Sequence, residues 1–306
     1  MRKIVALALG LAAASAGAKH IYQYTDAQGV VHFTDVKPAD AAANGDVKST
    51  LVHTDAQPLI RMREDGTDLD RTLVFVNSAG GPVSIRVEFE QAENVRSEPP
   101  LPALIVAPAV SELRAVRILA TDPRHGYRYR FRYTYMPGDY RARHDDTARY
   151  HLPFPADRRF RVSQAFNGAF SHNEAQNRYA VDITMPEGTP VLAARDGVVM
   201  TVDNDYYGAG LDMTKYGDRA NNVRIVHSDG TMAVYAHLQL ESARVQVGDR
   251  VHAGQVIALS GDTGYTSGPH LHFCVQANSN MNLVSVPFEF ADANGGFVPT
   301  AGMMLP

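Results

Sequence analysis

The sequence predicts a mainly β protein, with a β-sandwich-like region at residues 59–150 ahead of a second β-rich region at 151–292. Three observations carry this. No segment sustains the 3.6-residue apolar period of an amphipathic helix. Tyr127, Tyr129, Phe131, Tyr133 and Tyr135 alternate with Arg128, Arg130, Arg132 and Thr134, the two-residue period of a half-buried strand. Pro99, Pro100, Pro102 and Pro108 punctuate an extended stretch that no helix could contain. The length of 306 residues allows two or three domains.

The chain opens on a secretory pattern. Arg2 and Lys3 form a basic start, residues 4–14 are apolar, and Ala16-Gly17-Ala18 has the small-x-small form of a cleavage site. Residues 1–18 are therefore expected to be a signal peptide cleaved after Ala18, which gives a periplasmic or secreted product. The apolar stretch is far short of the roughly 20 residues that a spanning helix needs. No other stretch is long and apolar enough to span, and no Cys lies near the cleavage site to carry a lipid. Loss of Arg2 and Lys3 would take the net charge from −4 to −6, so general attraction to nucleic acid is not expected. Cys274 is the single cysteine, so no internal disulfide can form and stability must come from cores or a metal.

Residues 20–36 read as a small hairpin: Tyr22 and Tyr24 alternate with polar neighbours, Asp26 and Gly29 supply turn chemistry, and Val30 to Phe33 returns. The pattern Tyr22, Asp26, Gly29, Phe33, Thr34, Asp35 resembles a short module common in exported proteobacterial proteins. Residues 37–58, rich in Ala, Asp and Pro, read as a linker. In 59–150, an apolar run at 72–77 meets the turn Ser78-Ala79-Gly80-Gly81. Val83, Ile85, Val87 and Phe89 then alternate with Ser84, Arg86 and Glu88. The arginines of 128–132 could grip an anionic glycan, but a solvated outer face over an aromatic core explains them more simply.

Residues 151–292 show further short strands at 189–194 and 197–202. Two more, at 223–226 and 232–237, flank the turn Ser228-Asp229-Gly230. Residues 293–306 read as a tail. The informative cluster lies within 151–292. His270 and His272 stand two apart in Gly268-Pro269-His270-Leu271-His272-Phe273, so in a strand both face one side. His237 ends another strand, and His172 and Asp182 lie upstream. Two His and one Asp around an open position form a common catalytic zinc site, and neighbouring histidines can move protons.

Residues 158–292 resemble the catalytic domain of lysostaphin-type (LytM-like) zinc metallopeptidases. The matching stretches include Val181-Asp182-Ile183, Gly188-Thr189-Pro190-Val191, Tyr235-Ala236-His237-Leu238 and Val251-x-x-Gly254-Gln255. They end in Gly261-x-Thr263-Gly264-x-x-x-Gly268-Pro269-His270-Leu271-His272-Phe273. The resemblance implies an antiparallel β catalytic domain with a cleft, acting as a zinc-dependent endopeptidase on the peptide cross-links of peptidoglycan. It implies Asp182 and His272 as zinc ligands and His237 and His270 as catalytic histidines.

The sequence departs from the family where its first ligand belongs, four residues before Asp182, because Arg178 stands there. His172, ten residues before Asp182, is expected to replace it, with Glu174 as the rival oxygen donor. His227 is expected to be structural, and His125, His144, His151 and His252 to lie on the surface or in loops. Cys274 is expected to be a packed, inert thiol, with a fourth metal ligand as the alternative. A second function stays open: a non-catalytic wall-binding or amidase-activating module, whose relatives usually lose ligands or catalytic histidines. A regulatory protein partner is possible, and the sequence does not identify one.

Overall fold

The computed structural model describes residues 19–25, 31–34, 47–52, 58–68, 70–293 and 295–306. The proposed signal peptide and the turn residues 26–30 fall outside them. The chain divides into two compact units, residues 1–57 and 58–306.

In the first unit, Lys19–Thr25 is the central strand of a three-stranded antiparallel sheet. It pairs with Val31–Thr34, Tyr22 opposite Thr34, and on its other side with Lys48–Val52. The reading of 37–58 as linker needs correction, since 48–52 is a strand. Five residues show too little alternation to stand out beside the Asp- and Ala-rich stretch that precedes them.

Residues 60–137 of the second unit form two antiparallel sheets around one core. One sheet runs in the order Ile60–Thr67, Asp70–Asn77, Ser111–Ala120, Val95–Glu98, and the other Arg128–Pro137, Val83–Glu93, Ala103–Ala107. Leu73, Phe75, Val83, Ile85, Val116 and Ile118 are buried between them. On Arg128–Pro137, Tyr129, Phe131, Tyr133 and Tyr135 pack against this core, while Arg128, Arg130 and Arg132 are exposed. Arg132 pairs with Glu88 on the neighbouring strand.

The remainder is built on a nine-stranded antiparallel sheet. Its order is Arg250–Val251, Gly197–Asp203, Asn222–Val226, Met232–Ala236, His270–Ser279, Ala180–Thr184, Phe160–Gln164, Met304–Leu305, and Asn282–Ser285 also pairs with His270–Ser279. The period of two sorts the long strand His270–Ser279: Leu271, Phe273 and Val275 are fully buried in an aromatic core with Tyr150, Tyr235, Phe288 and Phe290. His270 and His272 point the other way, into the cleft. Met200, Val226 and Met232 reach from this sheet into the sandwich core, so the two cores meet.

Three boundaries differ from the sequence reading. Residues 293–306 are not a free tail: Met304–Leu305 pairs with Phe160–Gln164, and Leu305 is fully buried. Tyr150 belongs to the second core rather than to the sandwich. The strand read as 232–237 stops at Ala236, because His237 turns into the left-handed region at φ +62°. Met213–Tyr216 is a four-residue helix capped by the Asp212 side chain, too short to leave a period in the sequence. Among the described residues no helix is long and apolar enough to cross a membrane.

Candidate active site

Strand register builds the site. Asp182 lies opposite His272, and His272 opposite Ala236, so a carboxylate and an imidazole occupy one row across three strands. His270 is opposite Thr184 on the same face, and His237 follows the end of Met232–Ala236. His172 arrives from the turn-rich segment between Phe160–Gln164 and Ala180–Thr184 and is fully buried.

His172, Asp182 and His272 each offer a ligand atom within 4.8 Å of the others. His172 Nε2 lies 3.2 Å and His272 Nδ1 2.9 Å from Asp182 Oδ1. Two imidazoles and one carboxylate suit a tetrahedral site with one position open to substrate, so the donor set fits zinc. Glu174 is exposed on the cleft wall and outside this cluster. Arg178 offers no ligand atom, since its guanidinium stays protonated.

The backbone fixes the histidine tautomers. A carbonyl can only accept, so the ring nitrogen facing it must carry the proton. His172 Nδ1 donates to Ala165 O at 2.9 Å, His237 Nδ1 to Thr263 O at 2.7 Å and His270 Nδ1 to Gly268 O at 2.8 Å. In the neutral ring Nε2 is thereby the nitrogen with the lone pair, the atom a ligand or a base would use. The His237 and His270 rings lie 4.5 Å apart, and His270 Nε2 is 3.7 Å from Asp182 Oδ1. Burial, with the His270 and His272 imidazoles beside it, pushes His237 down to about 3, so it is neutral at pH 7. Burial would raise the Asp182 carboxyl, but the His172 and His272 imidazoles around it hold it well below the usual carboxylate range.

Gln164 makes a contact that the sequence reading missed. Its Nε2 donates to Asp182 Oδ2 at 3.0 Å and to Ser171 Oγ at 2.7 Å, and its Oε1 accepts from Phe170 N and Ser171 N. One side chain thus fixes the carboxylate and the segment that carries His172. Nothing in Phe160–Gln164 marks this residue, since its partners are distant in sequence. The Gly261-x-Thr263-Gly264 motif gains a reason: Gly264 has φ +84°, and a Cβ there would come within 2.8 Å of the Ala220 backbone. Only glycine lets this turn present the Thr263 carbonyl to His237.

The remaining singled-out residues lie elsewhere. Cys274 is buried, its Sγ 3.5 Å from Gln176 O, and burial pushes the thiol up. It is not among the residues that line the cleft. His227 is buried, donates from Nδ1 to Asp196 O at 2.8 Å and meets Tyr150 edge-on. His125, His151 and His252 are exposed, and His144 is partly buried; none lines the cleft.

Comparison with known proteins adds an independent line. Residues 176–283 match the model of peptidase family M23, and residues 7–58 match a domain of unknown function (DUF4124). The family match begins beyond His172. The glycyl-glycine endopeptidase ALE-1 of Staphylococcus capitis is 38% identical over 120 residues, which is 39% of this chain and 30% of that protein. Lysostaphin of Staphylococcus simulans is 35% identical over 129 residues, 40% of this chain and 24% of that protein. The peptidoglycan DD-endopeptidase ShyA of Vibrio cholerae is 33% identical over 145 residues, 46% of this chain and 31% of that protein. The chain thus spans about a third or less of the curated relatives it matches. Over residues 176–283 the chain carries a peptidase family M23 domain, close to the lysostaphin-type zinc metallopeptidases.

Proposed function

We propose that this protein is a zinc-dependent endopeptidase that hydrolyses the peptide cross-links of bacterial peptidoglycan. The observation that carries the proposal is the convergence of His172, Asp182 and His272 within 4.8 Å, beside two histidines whose Nε2 lone pairs face the same cleft. His172, Asp182 and His272 would hold the metal. Zinc, when bound there, supplies Lewis acidity toward the scissile carbonyl and the attacking water. His237 and His270 carry the proton from that water to the departing amine nitrogen, since in each a backbone carbonyl holds the Nδ1 proton and leaves Nε2 as the atom that can accept one. Gln164 is a positioning residue that holds the Asp182 carboxylate.

The relatives support the substrate class by name, one cutting glycyl-glycine bonds and another being a peptidoglycan DD-endopeptidase. Export directed by residues 1–18, with cleavage after Ala18, would place the protein in the periplasm or outside the cell, where that substrate is. Retention of Asp182, His237, His270 and His272 favours this reading over a non-catalytic wall-binding module. Digestion of purified peptidoglycan followed by mass analysis of the released muropeptides is the test. Peptide cleavage by zinc-loaded protein, absent after chelation, is the expected result; intact cross-links under both conditions would overturn it.

A further inference from the structure

Arg224 is the only lysine or arginine among the residues lining the cleft, whose other charged side chains are Glu174 and Asp182. It stands on Asn222–Val226, two residues along from Asn222 and therefore on the same face. Asn222, Ala236, His272 and Asp182 form one row of the sheet, and Arg224, Val234, Cys274 and Ala180 the next row on that face. The guanidinium is partly buried, and among the described residues no carboxylate lies within 4.0 Å of it. Among the described residues the guanidinium makes one hydrogen bond, from an Nη to Gln276 Oε1 at 2.6 Å. Asp203, a nearby carboxylate, is engaged instead by Asn222 Nδ2 at 2.8 Å.

Gln276 itself is fixed. Its Nε2 donates to Gln176 O at 2.8 Å, which forces Oε1 toward the arginine, and its side chain is buried. An arginine cannot discharge its cost by losing a proton, and desolvating it without a carboxylate is unfavourable. A buried amide that orients such a group inside a substrate cleft is what anion recognition requires, since the guanidinium fork matches a carboxylate bidentately.

We infer that Arg224, oriented by Gln276, binds a carboxylate of the substrate peptide and makes the enzyme selective for acidic over amidated cross-links. The inference rests on the peptidase reading above. Gln276 lies four residues from His272 on the same strand face, about 13 Å at 3.3 Å per residue. The recognised carboxylate therefore sits roughly four residues of extended peptide from the scissile bond. It belongs to a side chain or to the peptide's own C-terminus, and amidating each in turn distinguishes the two.

The experiment compares kcat/KM of the zinc-loaded protein on a cross-linked peptide with its carboxylates free and on versions in which one is a carboxamide. For the wild type, amidating the recognised carboxylate should lower kcat/KM by about 10- to 100-fold, the range of a charge-assisted pair. In Arg224→Gln that ratio should fall to near one, and Arg224→Lys should retain part of it. Should the Gln variant turn over too slowly, Kd values for the same peptides in the His237→Ala background, with and without Arg224→Gln, carry the comparison. A wild type that cuts all versions equally, or a Gln variant that keeps the full preference, overturns the inference and leaves the peptidase reading standing. A wild type that cuts none of them while peptidoglycan is also left intact refutes both.

Discussion

The sandwich and the nine-stranded sheet are both antiparallel β structures with aliphatic and aromatic cores, yet they place their polar groups differently. In the sandwich the ion pairs lie at the surface. Arg114 meets Asp65, Arg63 meets Glu112 and Arg117 meets Asp70, with both partners of each pair about 40% exposed or more. In the sheet the polar groups sit inside: His172 is fully buried, Asp182 is 7% exposed and His227 4%. Surface pairs contribute little and can be exchanged. Buried polar groups are costly unless satisfied; His172, Asp182 and His272 meet one another, whereas His227 keeps a buried Nε2 with no hydrogen-bond partner among the described residues. The ion pairs of the sandwich thus lie at its surface, and the buried titratable cluster lies in the sheet's cleft.

The widest gap between the two regions should appear in turnover. His237→Ala and His270→Ala should each lower kcat by roughly 10² to 10⁴, the usual share of acid–base catalysis, with zinc content retained. Parallel metal analysis and muropeptide kinetics check this, and loss of metal in either variant would move that residue among the ligands. Gln164→Ala should weaken zinc binding by about 10- to 100-fold, the usual effect of removing a group that orients a metal ligand. Chelator competition measures it, and unchanged affinity would mean that Asp182 is held well enough by its other contacts.

His227 carries a smaller effect, read in stability. Burial pushes it down to about 4, below the ordinary 6.5, so the unfolded chain takes up the proton first. Its contribution is complete above pH 6.5 and is lost as pH falls toward 4, amounting to about 3 kcal/mol across that window. Urea unfolding at pH 7 and pH 4 should show a shallower loss in His227→Gln than in the wild type; equal losses would mean that this group does not titrate as described. The smallest effect belongs to the sandwich surface. Arg114→Ala should change stability by less than about 1 kcal/mol and leave peptide cleavage untouched. A large effect there would break the distinction between that surface and the site.

Much of this was legible in the sequence because it rests on short periods. The two-residue alternation of Tyr127 to Tyr135 gave the strand and its two faces, and His270-Leu271-His272 gave a shared face. Asp182, His237, His270 and His272 stand in motifs that keep their order along the chain. What stayed hidden depends on contacts between distant segments. Gln164 reaches Asp182 across paired strands, Leu305 joins a sheet that begins near residue 160, and Gln276 orients Arg224 from a strand two positions away in the sheet. Short elements were hidden too: Lys48–Val52 and Met213–Tyr216 contain too few residues to establish a period. His172 falls between these cases, since the sequence offered it as a candidate beside Glu174 and the structure brings its Nε2 to Asp182.

The central claim is that His172, Asp182 and His272 together hold one zinc ion, and zinc affinity measured by competition with a chromogenic chelator tests it most directly. The wild type should bind one zinc per chain. His172→Ala should lose several orders of magnitude in affinity, because a coordinate bond and the fixed geometry go together, whereas Glu174→Gln should stay within about a few-fold of the wild type, having removed no ligand. A His172→Ala protein with wild-type affinity, beside a Glu174→Gln protein that has lost it, would contradict the account and transfer the ligand role to Glu174.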